Sequence, residues 1–254
     1  MQAVRPRLAY FRNCDGIVID GLTFMNSPSW TIHPHFSKNV RVLNCSILNP
    51  PDSPNTDGID VESCEDVQIK GCRFDVGDDC VALKSGKIFM SRFNAPTKNA
   101  EISDCVMENG HGAVVIGSET ACGVSGVYVH DCEFRNTDRG LRVKTRRGRG
   151  SLSVIDDIKF ENIEMVGVKS PFTVNCFYCR DPDGKSEYVQ NRQPAPVTDK
   201  TPSIKKLEFS SINCSEASYC AAYFLGLPER KIEKISMKDV NVSFADNVDK
   251  LVRK

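Results

Sequence analysis

Three aspartates and a histidine, each set among glycine or turn residues, are the groups in this 254-residue chain whose types and spacing could do chemistry. Asp57 lies in "NTDG" (55–58), Asp78 and Asp79 in "GDD" (77–79), His111 in "GHG" (110–112), and Arg142 and Lys144 in "RVK" (142–144). Asp78 and Asp79 stand immediately before the apolar run Cys80, Val81, Ala82, Leu83. Like charges at the mouth of a buried strand repel, and folding alone gives no reason to keep them. Adjacent carboxylates raise one another's pKa, so one can keep a proton as an acid while another works as a base. Glycoside hydrolysis has that requirement: one carboxylic acid protonates the leaving oxygen and a second carboxylate activates a water. A single turn aspartate would be read as solvated; three beside a histidine and two cations would not, provided the fold brings them together.

A repeat supplies that fold. One frame (apolar, x, apolar, x, x, apolar, x, apolar) recurs as "IVIDGLTF" (17–24), "VRVLNCSI" (40–47), "VQIKGCRF" (67–74), "AEISDCVM" (100–107), "VYVHDCEF" (127–134), "IKFENIEM" (158–165), "LEFSSINC" (207–214) and "ISMKDVNV" (235–242). Period-2 alternation rich in Val, Ile and Phe predicts strands, and irregular spacing between copies predicts loops of varying length on a constant strand register. Cys45, Cys72, Cys105 and Cys132 share a slot that other copies fill with Leu22, Ile163, Ile212 and Val240. A slot taken equally by Leu and Cys is apolar, so these cysteines are read as small buried hydrophobes and not as disulfides. Asn26, Asn49, Asn109 and Asn136 follow the frame at a fixed offset, and asparagine suits a left-handed bend that recurs coil after coil. A second strand ladder follows in "SWTIH" (29–33), "GIDVE" (58–62), "CVALK" (80–84), "GAVVI" (112–116), "GLRVK" (140–144) and "PFTVN" (171–175). The expected architecture is all-β: a right-handed parallel β-helix, a solenoid with strands ~4.8 Å apart along its axis.

Aligned on Gly58, Cys80, Gly112 and Gly140, the second ladder predicts a row of Asp57, Asp79, His111 and Arg139. It predicts a second row of Asp60, Ala82, Val114 and Arg142, and a third of Glu62, Lys84, Ile116 and Lys144. Asp57, Asp78, Asp79, His111, Arg142 and Lys144 should then gather on one face over about four coils, roughly 15 Å.

The four segments, in this order and spacing, resemble the signature segments of glycoside hydrolase family 28, the polygalacturonases, over about residues 5 to 245. The flanking "CVALKSG", "VVIGSE" and "RGLRVKTRRGRG" are most similar to its bacterial and plant-type branch, whereas 87–99 matches poorly. The resemblance implies an inverting hydrolase of α-1,4-galacturonosyl linkages in pectin or polygalacturonate. It implies that Asp78 is the general acid, that Asp57 and Asp79 hold and deprotonate the water, and that His111 tunes the acid. Arg142 and Lys144 would bind the galacturonate carboxylate, Asn55 would shape the site, and Tyr178 in "CFYC" would be the substrate-contacting tyrosine. A water between acid and base ordinarily sets their carboxyl groups about 6.5–9.5 Å apart. Alternatives are another family-28 specificity, on rhamnogalacturonan or xylogalacturonan, or an inactive β-helix that only binds carbohydrate; a lyase would need calcium and a basic proton abstractor.

Thirty-three basic and thirty-three acidic residues leave no net charge, so attraction of the whole molecule to nucleic acid or membrane is not indicated. No cofactor and no metal are expected, and the catalytic unit is expected to be a monomer. No stretch approaches the ~18 apolar residues of a membrane span, and the start lacks the basic-then-apolar layout of a secretory signal. The resemblance suggests an extracellular or periplasmic setting. Family members usually have a long stretch ahead of this start, so residues 1–254 are expected to form one β-helix domain lacking its first coils and N-terminal cap. Of the smaller signals, His33 is read as a minor substrate contact. The isolated pair Cys176 and Cys179 is weak for zinc or redox work. The run Lys144, Arg146, Arg147 and Arg149 is either a solvated turn or a guide for an acidic polymer.

Overall fold

The computed structural model describes residues 5–87 and 95–246, and most of the stretch 87–99 lies outside them. Every strand pairing between named strands is parallel, and the strands stack into a solenoid. The predicted frame keeps continuous register through all eight copies: Ile17 pairs with Val40, then Val67, Ala100, Val127, Ile158, Leu207 and Ile235. Insertions between copies leave this ladder undisturbed because each inward residue packs against the same slot one coil away. Its last slot runs Phe24, Ile47, Phe74, Met107, Phe134 and Met165. Phe74 and Phe134 are fully buried, worth about 1.5–3 kcal/mol each.

In the early coils each copy breaks at a bend, as between Asp15–Asp20 and Thr23–Met25; later ones, such as Val124–Arg135, run through it. The residues at this point are Gly21, Asn44, Gly71, Asp104, Asp131, Asn162, Ser211 and Asp239, all with φ between 51° and 68°. Such left-handed backbone suits Gly, Asn and Asp, so this slot is the main bend ladder. The asparagine ladder expected after the frame is present in part. Asn26, Asn109 and Asn136 are left-handed, but Asn49 is not. Its buried amide accepts from the Ser27 N–H (2.8 Å) and donates to Thr31 Oγ1 (2.8 Å), bracing a loop.

The second sheet has eight strands in spatial order: Ala9–Arg12, Ile32–His35, Ile59–Glu62, Asp79–Lys84, Gly112–Ile116, Arg139–Lys144, Ser170–Asn175 and Ala222–Leu225. The first and last were not foreseen, and the second begins three residues later than "SWTIH" predicts. The predicted register also slips by one at the fifth strand. Asp79 pairs with Gly112 and Ala82 with Val115, so Val115 and not Val114 stands in the row of Asp60 and Arg142. Ala113, Val114, Val115 and Ile116 are all fully buried, so their sequence carries no alternation to fix the phase. As a result His111 stands beside Asp78, whose carbonyl accepts the His111 N–H at 3.0 Å, and not beside Asp79.

The cysteine slot is buried as expected: Cys45, Cys72, Cys105 and Cys132 are free and at most 5% exposed. Each thiol donates to the carbonyl two residues back, at 3.1 to 3.4 Å. Contact with the neighbouring thiol of Cys132, with burial added, pushes Cys105 up to about 12. In native protein these four should resist alkylation while exposed Cys179 reacts, and all should react after denaturation. Peptide mass mapping finding any of the four labelled in native protein would overturn the apolar-slot reading.

Candidate active site

Asp57 precedes the Ile59–Glu62 strand, Asp79 opens Asp79–Lys84, His111 precedes Gly112–Ile116, and Arg142 and Lys144 lie on Arg139–Lys144. These strands are consecutive in the sheet, so groups far apart in sequence meet within four coils. The approach is close enough to dictate glycine: a Cβ on Gly110 would sit 2.7 Å from Cys80 Sγ and 2.8 Å from the Asp78 carbonyl oxygen. This is a reason for the "GHG" segment to flank its histidine with residues lacking side chains.

The three aspartates meet different environments. Asp79 is 1% exposed and receives the Lys144 ammonium at 2.7 Å, with Arg142 at 3.5 Å. Asp57 is 3% exposed, and burial, then the neighbouring Asp60, push its carboxyl well above the usual range. Asp78 retains 19% side-chain exposure. Partial burial pushes it up, but His111 with its Nδ1 at 3.4 Å, Lys144 and the Asn55 N–H hold it below the usual range. The same Asp78 contact raises His111. Asn55 thus contributes its backbone N–H, 3.2 Å from Asp78 Oδ2, while its side-chain oxygen accepts from Arg5. Asp57 Oδ1 and Asp79 Oδ1 are buried without a hydrogen-bond partner among the described residues.

One oxygen from each of Asp57, Asp78 and Asp79 lies within 4.8 Å of the others. A triad this close has the spacing of a cation site, but the cationic groups of Lys144 and Arg142 already face it. Beyond those two cations the sheet opens into a cleft of about 420 Å³ whose lining includes Arg139, Arg142, Lys144, Lys169, Tyr178 and Tyr223. The Tyr178 ring lies 5.7 Å from Lys144 Nζ. Lys169 and Tyr223 carry no sequence motif. Their membership follows only from strand stacking, in which Arg142 pairs with Thr173 and Thr173 with Tyr223.

Behind the aspartates lies a second charged group that sequence reading missed: Asp60, Lys84 and Glu119. Lys84 is 5% exposed, 2.9 Å from Asp60 and 3.6 Å from Glu119. Asp60 was visible as the outward residue next to Ala82, but no pattern announces that an outward residue will be covered.

Other expectations are corrected. Arg146, Arg147 and Arg149 are at most 3% exposed, so they are neither a solvated turn nor a polymer guide. Arg146 and Arg149 grip Asp181, and Arg147 grips Glu229 while donating to carbonyls of Tyr188, Asn191 and Gln193. Their work is to clamp the loop that carries Tyr178. His33 is not a substrate contact: it is 1% exposed, accepts from Arg7 Nε at 3.0 Å and pairs with Glu62 at 3.0 Å. His33, His35 and Glu62 have metal-like spacing, yet both nitrogens of His33 are engaged and Arg7 lies alongside. Cys176 is buried and Cys179 exposed, and among the described residues neither belongs to a cluster of metal-ligating groups.

The sequence profile of the family described as "Glycosyl hydrolases family 28" matches residues 2–252. A probable polygalacturonase of Vitis vinifera is 31% identical over 253 residues, 99% of this chain and 49% of that protein. A polygalacturonase of Cryptomeria japonica is 30% identical over 92% of this chain and 43% of its own length. Among solved structures, a hyperthermoactive exopolygalacturonase from Thermotoga maritima is similar with a TM-score of 0.82 at 28% identity, covering 95% of this chain and 51% of that one. The chain spans about half the length of the curated relatives it matches.

Proposed function

The chain belongs to glycosyl hydrolase family 28, and on that premise we propose that it hydrolyses α-1,4-galacturonosyl linkages of polygalacturonate with inversion at the anomeric carbon. The observation that carries this reading is the unequal burial of the three aspartates. Asp78, the one that keeps side-chain exposure, gives its proton to the leaving glycosidic oxygen as the bond to the anomeric carbon breaks. Asp57 and Asp79, at 3% and 1% exposure, are too enclosed to attack a sugar carbon. In this scheme the pair of carboxyl groups instead holds a water and takes its proton as it attacks from the opposite face. Burial of the two bases therefore favours inversion, because neither Asp57 nor Asp79 is free to form a covalent intermediate.

His111 keeps the proton supply. Its contact with Asp78 raises its proton affinity and lowers that of Asp78, so one proton is shared by the pair and reaches the leaving oxygen through Asp78. Arg142 and Lys144 take the carboxylate of the sugar at the cluster, Tyr178 packs against it, and Lys169 with Tyr223 accommodate the neighbouring unit. All the groups invoked belong to one chain, so a monomer suffices.

Reducing ends should appear when de-esterified polygalacturonate is incubated with the protein and a chelator, and proton NMR at early times should find the inverted anomer first. A calcium requirement with an unsaturated product would replace this reading with a lyase, and a retained anomer would refute the water-attack scheme.

A further inference from the structure

Behind the three aspartates, Lys84 closes a buried ionic group that the scheme above leaves idle. It ends the strand that Asp79 opens, so its stem and the cluster share one rigid element. Its ammonium meets Asp60 at 2.9 Å from one coil away, Glu119 at 3.6 Å, and the Trp30 ring at 3.7 Å from the centroid. Asp60 is fully buried, and neither of its side-chain oxygens has a well-directed hydrogen bond. Among the described residues, the Lys84 charge at 2.9 Å is what compensates it closely. Asp60 stands three residues after Asp57 and bears on it as a like charge.

We infer that Lys84 is the positioning cation of the active site: without touching substrate, its buried ammonium neutralises Asp60 and so keeps Asp57 available as a base. This rests on the role given to Asp57 above. Three carboxylates, Asp57, Asp60 and Glu119, draw on this one ammonium. Burial raises Glu119, but Lys84 first, then Arg149 and Lys144, hold it below the usual range. His33, paired with Glu62, is the next titratable neighbour and is kept neutral mainly by its own burial. Asp79 lies on the other side of Asp60, with Lys144 as its own partner. Asp60 is already pushed up to about 7 by burial with Lys84 in place. Removing the ammonium takes away the cation that lowers both buried carboxyls, Asp57 and Asp60, and both retain protons to higher pH. Removing Glu119 frees the ammonium for the other two, and the shift has the opposite sign.

The test is a pair of variants read in two ways. Lys84→Met should move the acidic limb of the kcat profile up by more than one pH unit and lower kcat at neutral pH at least tenfold, with KM for polygalacturonate within about twofold. Lys84→Arg should recover part of the loss, and Glu119→Gln should move the limb down. Independently of hydrolysis, the ¹³Cγ titration of Asp57, assigned by its loss in Asp57→Asn, should shift up in folded Lys84→Met and down in Glu119→Gln. An Asp57 titration that stays put in folded Lys84→Met, or moves the same way in both variants, overturns the inference. Should Lys84→Met not fold, the direction found in Glu119→Gln decides. Titrations that shift as expected while Asp57→Asn stays fully active would instead remove the base role of Asp57 and leave the electrostatic coupling standing.

Discussion

Asp78→Asn should lower kcat on polygalacturonate by about 10²–10⁴-fold, the contribution usual for an acid–base group, with the thermal unfolding temperature nearly unchanged. The substitution alters volume little, and Asp78 is only half-buried; its two oxygens accept separately from the Asp79 and Asn55 N–H groups, of which the one amide oxygen of Asn keeps one and water can take the other. What is lost is the proton, so the defect should fall in kcat and not in KM. Asp57→Asn should do nearly as much damage, since an amide cannot take a proton from water. The pH dependence follows from the Asp78 and His111 pair. Because His111 is raised, the pair keeps its proton until pH climbs through that raised value, and activity should fall above it. In His111→Asn the proton must reside on Asp78 alone, so the alkaline limb should move to lower pH. More than about a tenth of activity surviving in Asp78→Asn, or an alkaline limb that ignores His111→Asn, would break the assignment.

The second large effect is expected at Lys144. Its ammonium lies 2.7 Å from Asp79 Oδ2 with both side chains nearly buried, so Lys144→Ala removes a substrate contact and also strips a buried carboxylate of its nearest partner. Breaking such a pair is costly, and about 2–4 kcal/mol of transition-state binding, roughly 30- to 1000-fold in kcat/KM, should go with it. Because Asp79 is disturbed as well, the loss should extend to methylated pectin. Arg142 is the cleaner probe of charge recognition, since it contacts Asp79 only at 3.5 Å and keeps 19% of its side chain exposed. Arg142→Ala should therefore narrow the preference for de-esterified polymer, chiefly by slowing the acidic substrate, which loses charge-assisted hydrogen bonds that a methyl ester never made. Rates on both polymers measured side by side check this, and an unchanged ratio in Arg142→Ala would mean that the sugar carboxylate binds elsewhere.

The repeat was legible in the sequence because a stacked coil forces one chemistry on one slot. The eight frame copies from Ile17 to Ile235 keep the register that their alternation implies, and Cys45, Cys72, Cys105 and Cys132 are buried in the inward slot that Ile163 and Ile212 fill in later coils, although Leu22 in the first copy is exposed. The gathering of Asp57, Asp78, Asp79, His111, Arg142 and Lys144 followed from stacking the second ladder coil on coil, and the one-residue slip at the fifth strand leaves His111 in the same coil. Tertiary structure was needed wherever the period failed or a charge was enclosed. The strand Gly112–Ile116 is buried on both faces and gives no phase, so only packing seats His111 against Asp78 instead of Asp79. Arg147 reads as solvated because its partner Glu229 lies 82 residues away. Lys84 was missed for a related reason: it meets Asp60, Glu119 and Trp30 from three other coils or loops. Local composition specifies which side chains can be hydrophobic neighbours, but whether a charge is buried depends on partners that only the closed solenoid brings within a few ångströms.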